Sequence, residues 1–314
     1  MAQLAAVRKA YGEALVRLGE SHPQVVVVDS DVSNSDFSYM FAAAHPDRFF
    51  DVGISEQALV DVCVGLANVG YVPLANTFAF LFATRALEMV RTNLCYGRAN
   101  VKLMAAYAGL SPSFDGPTHN SVTDIAIMRA LPTMTVVVPA DARALTALLP
   151  KVVEYEGPVY FRVNRNDMPI VYDDDFDPVI GRAHTLQEGG DVTLIGCGLM
   201  VSKSLEAAAV LERDGISARV LDMHTVKPLD REAIVRAAKE TGAIVTAEEH
   251  SVIGGLGGAV VEAVTEEHPV PVRRVGVSDR FAETGPYEEL LEGYGLTVDA
   301  IVQAARSAVR ARRP

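Results

Sequence analysis

Short β-branched, apolar runs alternate with longer stretches of helical period along the whole chain, the pattern of parallel α/β sheets. The first half predicts strands at 25–29, 49–52, 72–76, 101–106, 135–138 and 158–163. Between them the 3.6-residue period predicts helices over 57–69, 82–96, 122–130 and 142–155. Residues 25–28 and 136–138 are unbroken valine, as expected of strands buried on both faces. Residues 173–178, Asp-Asp-Asp-Phe-Asp-Pro, have no periodicity and read as the start of a linker. A second alternation follows, with strands at 192–195, 218–222, 244–248 and 272–275 and helices at 201–213, 231–241, 258–267 and 298–310. The expected fold is α/β, with two doubly wound, mostly parallel sheet domains at 1–172 and 191–314 and a linker over 173–190.

At 314 residues the chain can bury two cores. A formal net charge of −12 argues against nucleic acid, which needs a basic footprint. The basic tail Arg306, Arg310, Arg312 and Arg313 reads as the solubilising end of a helix, where cations suit the dipole. No apolar run approaches the ~18 residues of a membrane span, and the N-terminus lacks a signal-peptide pattern. Cys63, Cys95 and Cys197 lie far apart among apolar neighbours, so they read as buried thiols of a reducing cytoplasm. They match no metal-ligand spacing, and no metal site is expected on this chain. Ile195-Gly-Cys-Gly198 and Gly254-Gly-Leu-Gly-Gly258 read as tight strand-to-helix turns; Val201 stands where a dinucleotide fingerprint needs its third glycine.

Chemistry concentrates in three segments. In Asp51-Val-Gly-Ile-Ser-Glu-Gln57 a strand ends, a glycine turns the chain, and Glu56 opens a helix. A carboxylate there suits the helix dipole on its own. Asp115-Gly-Pro-Thr-His119 is a polar turn in the long loop after the strand ending near Ala106. Between the two lies the aromatic-rich stretch Thr77-Phe-Ala-Phe-Leu-Phe-Ala-Thr-Arg85. An acid, an aromatic patch and a histidine thus follow consecutive strands, whose carboxy ends are where α/β ligand sites form.

Gly53-Ile-Ser-Glu-Gln57 and Asp115-Gly-Pro-Thr-His119, in this order and spacing, resemble the pyrimidine-binding domain of transketolases and of 1-deoxyxylulose-5-phosphate synthases. The resemblance runs through Ala6-Val-Arg-Lys9 and Asp29-Ser-Asp-Val-Ser-Asn-Ser35, and Glu248–Gly257 is similar to the family's C-terminal domain. It implies thiamine diphosphate as cofactor. Glu56 matches the glutamate that hydrogen-bonds the aminopyrimidine ring and favours the imino tautomer, which deprotonates the thiazolium C2. Phe82 matches the stacking aromatic, with Phe78 as the alternative, and Asp31 matches an acid near the cofactor at the subunit boundary. His119 and Asp115 match groups that contact sugar hydroxyls, and His119 is also placed to shuttle protons. Arg8, Ser35 and Arg165 match positions that hold a sugar phosphate; Arg162 and Arg85 are further candidates.

Two departures change the picture. Tyr107 stands where transketolases have a histidine and the synthases an arginine, and Ser111-Pro-Ser-Phe114 replaces a glycine- and glutamate-rich approach to the Asp-Gly-Pro-Thr-His turn. The Gly-Asp-Gly motif that holds Mg²⁺ and the diphosphate in full-length members is absent. The resemblance therefore implies one half of a split transketolase, moving a two-carbon ketol unit from a ketose, expected to be phosphorylated, to an aldehyde. Its partner would be an N-terminal-section subunit holding Mg²⁺, in an α2β2 heterotetramer, and the start at Met1 favours a natural subunit over a fragment. The alternatives are an acyloin-forming synthase that uses pyruvate, the beta subunit of a 2-oxo-acid dehydrogenase, and a non-catalytic paralogue.

Overall fold

The computed structural model describes residues 3–312. Seven strands bear on the first half: β1 (Leu4–Ala6), β2 (Val25–Asp29), β3 (Phe49–Asp51), β4 (Val72–Phe78), β5 (Lys102–Ala106), β6 (Thr135–Val137) and β7 (Val159–Val163). Seven more follow: β8 (Asp167–Pro169), β9 (His184–Gln187), β10 (Val192–Gly196), β11 (Ala218–Asp222), β12 (Thr225–Lys227), β13 (Ile244–Ser251) and β14 (Val272–Val277). They build a seven-stranded sheet of order β12-β6-β7-β5-β4-β2-β3, a five-stranded sheet of order β14-β13-β10-β11-β9, and the antiparallel ribbon β1-β8. Both large sheets are parallel except at one edge strand each, β12 and β9.

The parallel arrangement follows from burial. Every residue of β2, β5, β7 and β10 is buried, so these strands need helices on both faces. The register keeps their carboxy ends level: Asp29 pairs with Asp51 and Asn76, Phe78 with Ala106, and Ala106 with Val163. The loops after β2, β3, β4, β5 and β7 therefore open along one edge.

Among the departures from the periodicity, four bear on the core and on the site edge. The helix Val7–Ser21 is not among those it predicts; this helix buries Tyr11, Leu15 and Leu18 in the core that also holds Leu145, Leu148 and Val152 of the helix Ala142–Glu154. The helix expected over 82–96 is broken into Ala79–Ala83, Leu87–Met89 and a π-helical turn Val90–Tyr96. The break falls at Thr84, whose hydroxyl donates to Phe80 O (2.7 Å) and whose backbone leaves the helical region. The helix expected from 258 starts at Leu256, because the Glu248 carboxylate takes the N–H groups of Leu256 and Gly257, each at 2.7 Å. Finally, β12 leaves the second half and pairs antiparallel with β6 of the first sheet. Three residues are too short for a periodic signal.

Candidate active site

Glu56 is the first residue of the helix Glu56–Asn68, where the helix dipole favours a carboxylate. Its side chain is only 2% exposed, and Arg85 Nη1 donates to both its oxygens at 3.3 and 3.1 Å. The helix break at Thr84 is what swings Arg85, itself half exposed, into this position. Asp31 follows β2 with a positive φ of 63° and is exposed. Its N–H donates to Asp51 Oδ1 (3.2 Å), which also takes the Gly53 N–H (2.8 Å), so the turns after β2 and β3 are tied together just ahead of Glu56.

A second group assembles on Tyr107. The guanidinium of Arg8 lies 5.6 Å from the Tyr107 ring centre and that of Arg165 lies 4.7 Å from it, while Phe78 packs at 4.5 Å. Two cations on one ring is a cation–π arrangement that orients both guanidinium planes. Backbone carbonyls hold them further: Arg8 donates to Arg165 O (2.8 Å) and Ser35 O (2.6 Å), and Arg165 donates to Pro112 O (2.6 Å). Arg165 also pairs with Asp115 at 3.0 Å, and the Tyr107 hydroxyl is 3.4 Å from Arg8 Nη1. Arg8 Nη2 and Arg165 Nε and Nη2 have no hydrogen-bond partner among the described residues. Tyr107 and Ser113 hold φ of 59° and 58°, a conformation that costs non-glycine residues energy and concentrates at functional sites.

His119 joins the two groups. Its ring sits 5.8 Å from Phe78 and 5.0 Å from Phe80, and Thr118 Oγ1 is 3.1 Å from its Nδ1. Arg8, Ser35, Phe78, Tyr107, Asp115, His119 and Arg165 thus converge, with Glu56, Arg85 and Asp31 along the same strand ends. Three candidates lie elsewhere than expected. Phe82 is fully buried in the core and offers no face to a ligand, because the short helix Ala79–Ala83 points it inward while leaving Phe80 half-buried. Arg85 binds Glu56 rather than the arginine patch. Arg162 is spent in a buried pair with Asp124, at 2.8 Å from both carboxylate oxygens, and its remaining donors go to Ser121 O and Glu249 O. Burial alone would raise the Asp124 carboxyl, but the Arg162 guanidinium holds it below the ordinary carboxylate range. Phe80 is not among the residues expected from the sequence; the alternation in Phe78-Ala-Phe80-Leu-Phe82 is the signal that carries it.

Residues 3–170 match the family model of the transketolase pyrimidine-binding domain, and residues 181–301 match that of the transketolase C-terminal domain. The chain belongs to the transketolase family. Among its relatives is the 6-deoxy-6-sulfo-D-fructose transketolase subunit SqwH of Clostridium sp. (strain MSTE9), 40% identical over 95% of this chain and 93% of that one. Another is a subunit of the apulose-4-phosphate transketolase of Phocaeicola vulgatus, 40% identical over 97% of this chain and 98% of that one. A solved structure described as a split gene transketolase, inactive beta4 tetramer, superposes with a TM-score of 0.93 at 49% identity, covering 98% of this chain and 99% of that one. Human transketolase is 37% identical over 97% of this chain, which spans 49% of its length. This transketolase chain is accordingly the C-terminal-section subunit of a split enzyme, a transferase of ketol units.

Proposed function

We propose that this subunit supplies the aminopyrimidine half of a thiamine-diphosphate site together with a site for an anionic ketose, and that an N-terminal-section subunit completes both in an α2β2 heterotetramer. The observation that carries the reading is the pair of guanidinium groups oriented on Tyr107 with unused N–H edges, at the strand ends that also carry Glu56. The pyrimidine-binding domain implies thiamine diphosphate. The residues fit its pyrimidine end: Glu56 is a buried carboxylate ready to accept a hydrogen bond from the ring, and Phe78 and Phe80 are half-buried rings on which it can stack. Bound there, the cofactor supplies an electron sink for breaking and forming the carbon–carbon bond. Asp31, exposed beside the turn to Glu56, faces the boundary with the partner. On this reading the partner holds Mg²⁺ and the diphosphate, through the Gly-Asp-Gly motif of full-length members that this sequence lacks.

Arg8 and Arg165 take the terminal oxyanion of the sugar through their free edges, for which the planar guanidinium fork is suited. Asp115 and His119 bind its hydroxyls, and His119 moves a proton as the ketol unit changes hands. Two relatives named for a sulfonated fructose and for a sugar phosphate support an anionic substrate. The relative described as an inactive beta4 tetramer supports the need for a partner. Calorimetry of the isolated chain with thiamine diphosphate and Mg²⁺ tests this: weak or no binding is expected, and sub-micromolar affinity would overturn it. With the partner, ketol transfer from anionic ketoses is expected to exceed turnover of pyruvate.

A further inference from the structure

The segment from Tyr107 to Val122 carries the tyrosine, aspartate and histidine of the ketose patch, yet its regular structure is one short turn, Ser113–Asp115. Its base is a single antiparallel bridge between Gly109 and Ser121, with bonds of 3.1 and 2.8 Å. Arg162, Arg165 and Asn166 of the first domain hold it at Ser121, Ser111 and Pro112, and the second domain adds further ties. Ser251 N–H donates to Val122 O at 2.7 Å, and Asn120 Nδ2 donates to Glu283 O at 3.3 Å. From the second domain the shortest side-chain tie is made by Glu249 of β13, which is 5% exposed. Its Oε1 accepts the Leu110 N–H at 2.7 Å, and its Oε2 accepts from Asn164 Nδ2 at 3.3 Å. Gly109 has a φ of +64°, and a Cβ there would lie 2.5 Å from Glu249 Oε1, so turn and carboxylate fit with no room for a side chain.

We propose that Glu249 is a positioning residue through which the C-terminal domain fixes the loop presenting Tyr107, Asp115 and His119 to the ketose. The proposal rests on the functional reading above. Displacement at Leu110 is passed directly onward: Arg165 N–H donates to Ser111 Oγ (3.2 Å), Arg165 Nη1 to Pro112 O, and Asp115 N–H to Pro112 O (3.1 Å). Loss of the carboxylate would therefore shift both the arginine and the aspartate of the patch. The groups facing Glu249 are Arg162, Asp124, Tyr287 and Cys197. Burial pushes its carboxyl up to about 7, against the opposing pull of Arg162, the Leu110 N–H and the Tyr287 hydroxyl; Asp124 adds to the rise. The neutral acid accepts an N–H more weakly than the carboxylate does, so the tie loosens on protonation.

The test compares Glu249→Ala and Glu249→Gln in the reconstituted enzyme. Orphaning the Leu110 N–H is expected to lower kcat/KM for the ketose about 10-fold or more, chiefly through KM, with cofactor affinity within about 2-fold of the parent. Glutamine keeps an acceptor oxygen, so it should recover to within about 3-fold, and its KM should no longer vary near pH 7, where the glutamate titrates. Equal losses in the two variants, or a parental KM in the alanine variant, would overturn the assignment. Amide exchange at Leu110 in the isolated chain reads the same tie without turnover. Faster exchange in Glu249→Ala than in Glu249→Gln is expected, and unchanged exchange sinks the proposal. Absence of ketol transfer by the unaltered enzyme, with the exchange difference intact, would count against the functional reading alone.

Discussion

The carboxy-terminal edges of the two parallel sheets carry similar residues and put them to opposite uses. On the first sheet, Asp31, Tyr107 and Ser113 sit in positive-φ turns, and Arg8 and Arg165 keep donors without a partner among the described residues. On the second, the equivalent groups are consumed internally. The Glu248 carboxylate closes the N-terminus of the helix Leu256–Glu267, and a Cβ on Gly255 would run into it. Asp222 ends β11 and accepts the Tyr172 hydroxyl at 2.8 Å, and His224 is buried, its imidazole pushed down to about 4 by desolvation and by His184. A helix N-terminus is an anion site only where the chain has not already filled it. The closed edge serves instead as a backing against which the open one is held, at Glu249, Ser251 and Glu283.

The largest effect should come from the open edge, at Glu56. Glu56→Gln is nearly isosteric but cannot hold a proton shared with the pyrimidine ring. Exchange of the cofactor C2 proton in the reconstituted enzyme should fall by ~10²–10⁴-fold while assembly is kept. An unchanged exchange rate would remove Glu56 from the mechanism. Next comes Arg165→Ala, which takes away one charged hydrogen-bonding group and uncovers Asp115. KM for an anionic ketose should rise by about 10-fold or more, with a much smaller change for its uncharged analogue. An equal rise for both would show that Arg165 shapes the loop rather than binding the anion.

How much of this contrast is legible in the sequence differs by link. The alternation of valine runs and helical periods places the parallel strands within a residue or two, because a strand buried on both faces leaves an apolar block. The exception is β13, which runs three residues past its expected end. Glu56, Asp115 and His119 stand out because glycine-bounded turns after strands are local patterns. Phe82 takes the stacking role on spacing, yet the break at Thr84 turns its ring into the core and leaves Phe80 half-buried. That break lies inside a stretch whose helical period runs on through 82–96, so no periodicity reports it. The roles of Arg162, Glu249 and β12 are set by contacts between segments far apart in the chain, such as Leu110 with Glu249, where the sequence separation is 139. Long-range partners of that kind leave no local signature.

A smaller effect tests the closed edge. Burial pushes the Asp222 carboxyl up to about 8, with Asp141 adding to the rise and the Tyr172 bond opposing it. The folded chain therefore keeps a proton that the unfolded chain, with an ordinary carboxylate near ~4, has released. Its contribution to stability is fully present below the unfolded value and is lost as pH rises from there through about 8. Asp29, pushed up to about 6, and Glu249 act in the same direction. Asp222→Asn should flatten this slope in urea unfolding at pH 5 and 8 without changing kcat. A slope identical to the parent's would mean that Asp222 does not titrate in this window.

The smallest effect should be at Tyr107 of the open edge. The ring orients both arginines by its faces, while its hydroxyl only accepts one long bond, 3.4 Å, from the Arg8 guanidinium. Tyr107→His keeps an aromatic plane, so Arg8 and Arg165 should stay stacked on it. The imidazole adds a donor that is charged in a fraction of molecules at neutral pH. A charge-assisted bond is roughly twice as strong as a neutral one, so kcat/KM for a phosphorylated ketose relative to its unphosphorylated partner should rise only a few-fold. Matched pairs of donors, measured on the reconstituted enzyme across pH 6 to 8, check both parts: the gain should shrink as the imidazole loses its proton. If the ratio stays fixed, Tyr107 acts through its ring alone and phosphate preference belongs entirely to the two arginines. If it falls, the hydroxyl is itself a substrate ligand, and the split between orienting ring and free guanidinium edges must be redrawn.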